Sequence, residues 1–123
     1  MRALILLCSA LLCGAAQAID TGDAAPPTQQ QLKQMLLGNT LEGEWAGRPF
    51  TQHFADNGTT RYREGDGETT HGTWRVIESG QYCSIWPPFP RETCYEVLVK
   101  DNRIWWKFGD NIYPSMVSPG DSF

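Results

Sequence analysis

The chain has 123 residues, with 14 acidic against 10 basic side chains and a net charge of −4. Such an acidic surface repels phosphate backbones and argues against nucleic acid as a partner. Beyond residues 1–18 no stretch is long and apolar enough to span a bilayer, which takes roughly 20 residues. No basic amphipathic helix speaks for a membrane surface, so no membrane insertion of the mature form is expected.

Residues 1–18 read as a signal peptide. Arg2 supplies the positive start, and "ALILLCSALLCGAA" supplies an apolar run of about a dozen residues. Ala16-Gln17-Ala18 is a small-x-small cleavage site, which places the cut before Ile19 and the mature protein in the periplasm or outside the cell. Leu7 and Leu12 precede Cys8 and Cys13 where lipid attachment wants a small residue, so lipidation is not expected. Residues 19–27, "IDTGDAAPP", predict a flexible N-terminus. Residues 28–123 then form a single β domain.

That domain opens with a short helix. Thr28 and Gln31 stand at capping-box spacing. Leu32, Met35 and Leu36 make one apolar stripe, and Gly38 is a left-handed stop. So short a helix cannot stand alone in water, so its stripe must pack on the sheet that follows.

From Leu41 the pattern is β. Strands are predicted near 41–46, 49–55, 59–64, 69–78, 81–86, 93–100, 103–109 and 111–117. At the first full hairpin a three-residue loop, Asp56-Asn57-Gly58, sets Phe54 opposite Thr60 and Gln52 opposite Tyr62. It puts Phe50, Phe54 and Tyr62 on one face, which a two-residue loop does not. At Ser79-Gly80 a two-residue loop is expected to pair Trp74 with Ile85 and Val76 with Cys83. Tyr95, Val97 and Val99 alternate with Glu96, Leu98 and Lys100, and Ile104, Trp106 and Phe108 alternate with Trp105 and Lys107. One wet face throughout means antiparallel pairing. The expected fold is mainly β: an up-and-down meander of 7–8 strands curled into a small barrel or bent sheet, with the helix closing one end.

The remaining cysteines, Cys83 and Cys94, lie in "YCSIWPPFPRETCYE". A zinc site wants about four ligands in close pairs, and a redox centre wants two cysteines two residues apart. Neither pattern is present, so a disulfide is expected and no metal or other cofactor. If Cys83 and Cys94 both point inward, Glu96 follows them as a buried carboxylate. A bulge near Thr93 or Cys94 would turn Tyr95, Val97 and Val99 inward instead, and that arrangement is preferred. Glu96 is kept as a candidate ligand contact. Glu42 and Glu44 share one side of a strand, and the histidines, His53 and His71, read as wet-face residues.

Five tryptophans, five phenylalanines and four tyrosines are many for this length. Tyr62, Trp74 and Trp106 either fill a small barrel or line a cavity for a small ligand. Trp86 and Phe89, on the proline-rich tip "WPPFP", either dock a partner protein or fold down over the barrel mouth.

The ordered set Gly38-Asn39-Thr40, Asn57-Gly58-Thr59, Gly72-Thr73-Trp74 and Cys83 with Cys94 resembles small exported alphaproteobacterial-type proteins of unknown function. The likeness spans about residues 36–109, and Ser118-Pro119-Gly120-Asp121 departs from it. Gly43-Glu44-Trp45 also resembles the Gly-x-Trp that opens lipocalin-type barrels. Neither resemblance implies an activity. The expected role is a non-catalytic exported binding module for a small molecule, apolar by the aromatic lining, or for an envelope protein. The alternatives are docking of a partner protein through the Trp86–Pro90 tip, and a hydrolase built on a buried carboxylate.

Overall fold

A computed structural model describes residues 21–123. The leader expected at 1–18 and its cut before Ile19 lie outside the described residues. One helix, α1 (Gln29–Leu36), precedes eight strands: β1 (Thr40–Trp45), β2 (Arg48–Phe54), β3 (Thr59–Glu64), β4 (Thr70–Val76), β5 (Tyr82–Ile85), β6 (Thr93–Lys100), β7 (Arg103–Phe108) and β8 (Asn111–Ser118). Each pairs antiparallel with the next, and β8 returns to β1, so the sheet is a closed barrel. Alternation along most strands predicts this: closure gives their inward side chains a common interior.

The helix forms where the caps place it. The Thr28 hydroxyl accepts from the Gln31 N–H at 3.1 Å. Gly38 takes a positive φ of 76°, and its N–H then donates to the Phe54 carbonyl at 2.7 Å. Leu32 and Leu36 are fully buried and join Phe54, Trp74 and Val76 in the core. The Gln29 amide donates to the Val76 carbonyl, fixing the helix start to β4. The helix thus closes the barrel end where β2, β4 and β6 finish.

Two hairpins share one loop geometry. Between β2 and β3, Phe54 opposes Thr60 and Gln52 opposes Tyr62, the expected register, with Gly58 at φ 86°. Between β4 and β5 the expected two-residue loop is wrong. Ile77 accepts from Gly80 and donates to Gln81, so Glu78-Ser79-Gly80 forms a second three-residue loop, with Gly80 at φ 86°. Glycine is needed there, because a Cβ would collide with the Pro27 carbonyl oxygen.

That one-residue change moves the register. Trp74 opposes Ser84, and Arg75 opposes Cys83. Tyr82 and Ser84 point inward and Cys83 points out. Cys83 and Cys94 are direct neighbours across β5 and β6, joined in a disulfide with Cα atoms 4.0 Å apart. With the cysteines outside, Tyr95, Val97 and Val99 face inward in unbroken register, and the expected bulge is not formed.

Residues 21–27, expected as a flexible lead-in, are instead tied down. Ala25 exchanges two hydrogen bonds with Val99, and Asp23 pairs with Lys100. The C-terminal tail folds back along the outside of β1–β3. Thr40 Oγ1 donates to the Gly120 carbonyl, Asp121 pairs with Arg61, and the Phe123 ring lies between the guanidinium groups of Arg61 and Arg63. His53 is on the outer face, as expected, but the tail leaves it only 8 % exposed.

Replacing Leu36 with alanine is expected to remove about 2–5 kcal/mol of stability, read from the urea midpoint. The same change at Lys33, on the exposed face of α1, is expected to cost under about 0.5 kcal/mol.

Candidate functional site

The two ends of the barrel are filled differently. At the helix end Leu32, Leu36, Leu41, Val76, Val99 and Ile104 pack with Phe54 and Trp74. At the other end the strands run on past the core and leave an open pocket of about 290 Å³. Its walls come from inward positions of seven strands: Trp45 (β1), Phe50 and Gln52 (β2), Tyr62 and Glu64 (β3), Thr70 (β4), Tyr82 and Ser84 (β5), Tyr95 (β6) and Trp106 (β7). Trp86, just beyond β5, completes the ring.

The floor is polar and buried. The Gln52 amide nitrogen donates to Thr60 Oγ1 at 3.0 Å and to the Tyr82 hydroxyl at 3.2 Å. Thr60 passes a hydrogen bond on to the His53 carbonyl. Beside this chain, Trp106 donates its indole N–H to Ser115, whose hydroxyl donates to the Ile104 carbonyl. These bonds lock the side chains beneath the pocket in single orientations, since breaking any one would strand a buried polar atom.

The walls are rings set on edge. Tyr95 meets Trp45 at 79° and Trp106 at 88°. Tyr62 meets Trp86 at 70° and stacks on Phe50 at 5.3 Å. Trp86 bends inward for two reasons. Its N–H donates to Ser84 Oγ at 3.0 Å, and the strand beneath it carries Gly72. A Cβ there would lie 2.8 Å from the indole. The absent side chain is the seat on which Trp86 rests.

Glu64 is the single charged wall residue. Its Oε1 accepts from the Tyr62 hydroxyl at 3.0 Å, and Oε2 meets Arg48 at 3.4 Å at the solvent edge. Burial, and next the Glu64 bond, push the Tyr62 phenol well above the ordinary tyrosine range. Burial pushes Tyr82 up likewise, against a smaller opposing pull from Ser84 and Gln52. Tyr95 is raised by burial. All three stay neutral hydroxyls at physiological pH.

Of the residues singled out in the sequence, Tyr62 and Trp106 line the pocket. Trp74 does not. It packs at right angles to Phe54 beneath the floor, its N–H on the Ala55 carbonyl. Glu96 is on the outer wall, exposed and paired with Lys107, because Cys83 and Cys94 face out. Glu42 and Glu44 are exposed too. None of the three is the buried carboxylate that a hydrolase of this kind requires. The tip splits: Trp86 belongs to the pocket, and Phe89 is 72 % exposed. The Trp86 carbonyl accepts from the Phe89 N–H at 2.9 Å, closing the turn. Among the described residues the one grouping of metal-ligating side chains is Cys83, Glu92 and Cys94, whose sulfurs are consumed by the disulfide.

Gln52, Glu64, Thr70 and Ser84 were not singled out in the sequence. Register could have found two of them. Placing Gln52 opposite Tyr62 puts it inside with Phe50, and Glu64 lies two residues past Tyr62 on the same face.

No protein-family model matches the chain, and no curated protein matches it.

Substituting Gly72 with valine is expected to unseat Trp86. Overpacking at that contact costs about 1–3 kcal/mol, and the near-ultraviolet circular dichroism of the tryptophans should change with it; an unaltered spectrum would refute the contact. The raised phenols also set a pH limit. Their folded values lie above the unfolded value near 10, so the unfolded chain loses protons first as pH rises. Stability should be flat below about pH 10 and fall above it, and Tyr82→Phe should flatten that fall in urea midpoints taken from pH 8 to 11.

Proposed function

We propose that this protein is an exported, non-catalytic binding module that takes a small molecule into the open end of its barrel. The observation that supports this reading is the unequal filling of the interior. A barrel whose residues served only to fill it would be packed at both ends, since eight strands leave just enough room for side chains. Here the helix end is packed and the other end keeps a pocket of about 290 Å³ walled by rigid rings. A concave, largely apolar cavity with a few fixed polar groups is the usual form of a small-molecule site. The hydrogen-bonded floor and the seated Trp86 hold that form before a ligand arrives, which lowers the ordering cost of binding.

Export is supported by the signal-like residues 1–18 and by the disulfide, a bond that persists in oxidising compartments. Docking of an envelope protein through the tip is the second reading. It retains Phe89 alone, because Trp86 is committed to the pocket wall.

The full chain, recovered under native conditions from the exported fraction of its own cells, is expected to carry an added non-covalent mass by native mass spectrometry. Thr70→Trp, at the exposed inner rim, fills the mouth without disturbing the core and should abolish that mass. Both proteins arriving bare would overturn the reading.

A further inference from the structure

We propose that the ligand is an organic cation, a quaternary ammonium or protonated amine carried on a small apolar body. The proposal rests on the binding role just given and assigns that site a chemical class. Three observations carry it.

The first is which apolar residues surround the pocket. Every one is aromatic, and no leucine, isoleucine, valine or methionine is among them. Most aliphatic side chains of the core, Leu32, Leu36, Leu41, Val76, Val99 and Ile104, lie at the helix end. A neutral apolar ligand gains as much from aliphatic as from aromatic surface, because transfer energy follows area. A cation does not, since it is attracted by the negative face of a ring.

The second is how the rings are set. Tyr95 stands at right angles to both Trp45 and Trp106, with centroids 5.7 and 6.5 Å away. Tyr62 and Trp86 make a second perpendicular pair at 5.9 Å. The rings that line the pocket thus lie in different planes, and a cage for an ammonium group is likewise built from aromatic rings of differing orientation.

The third is charge. Glu64 is inside the pocket, and no lysine or arginine lines it. Gln52, Thr70, Ser84 and the tyrosine hydroxyls supply neutral polar contacts. Asp66 and Glu68 follow Glu64 on the exposed β3–β4 turn and add negative potential at the mouth. Among the positive groups at this end, Arg48 reaches Glu64 from outside with its side chain 74 % exposed, and so exposed a pair is weak in water. Arg91 is on the exposed tip, and Lys107 is paired with Glu96 on the outer wall. An anion entering the pocket would meet Glu64, whose cationic partner Arg48 is not among the lining residues.

Three probes of one shape separate the possibilities: benzyltrimethylammonium, its neutral carbon isostere neopentylbenzene, and benzylsulfonate. Titration of the full chain by tryptophan fluorescence is expected to show the cation binding at least about tenfold tighter than the isostere, and the sulfonate not binding. Glu64→Gln, at the solvent edge of the barrel, should weaken the cation about tenfold and leave the isostere unchanged. Tyr95→Leu keeps apolar bulk and removes the ring, so it should weaken the cation selectively. Equal or tighter binding of the isostere or the sulfonate would overturn the cation class and leave the pocket reading intact. Failure of all three probes, with a bare chain in native mass spectrometry, would overturn both.

Discussion

The pairing of β8 with β1 is what gives this chain an inside. Four register pairs, Thr40 with Ser118 through Gly43 with Ser115, join the two ends of the sheet. They depend on a missing side chain, since a Cβ on Gly43 would come within 2.6 Å of the Pro114 carbonyl oxygen and 2.7 Å of Ser115 Cβ. Closure leaves no strand edge exposed for aggregation. It also turns alternation along each strand into a division between a shared interior and a wet exterior. Which residues reach the pocket follows from the side of that division on which each falls.

Alternation was therefore the most legible property of the sequence. The helix, its caps, all eight strands and the antiparallel meander could be read from period and punctuation, because each is decided by neighbours a few residues apart. The Asp56-Asn57-Gly58 loop was legible for the same reason. Glu78-Ser79-Gly80 has the same geometry but lacks the Asn-Gly signal, and Ser79-Gly80 reads naturally as two residues. That single-residue error carried Cys83 to the wrong face and made a bulge appear necessary. It also kept Glu96 in view as a site residue, while Glu64, in a register already deduced, went unnoticed.

What stayed illegible is long-range. The direction of Trp86 depends on Gly72 in the neighbouring strand and on Ser84, and the burial of His53 depends on a tail that returns from the far end of the chain. The order seen in residues 21–27 has a similar origin. Their composition is that of a loose segment, and pairing with Val99, the Asp23–Lys100 ion pair and the close pass over Gly80 hold them. The helix end of the barrel is covered by that segment and α1 together, and the pocket lies at the opposite end.

Gly72 carries a consequence for how such a protein could change over evolutionary time. Trp86 forms part of the pocket wall, and its seat depends on a position whose contribution is an absence. A Cβ there would meet the Ile85 carbonyl oxygen at 2.6 Å as well as the indole at 2.8 Å, so a substitution shifts the end of β5 and Trp86 together. Cavity size and cavity chemistry are thus written at separate places in the chain. A substitution at Gly72 acts on the wall that Trp86 forms, while the identities of Glu64, Tyr95 and the polar floor are untouched.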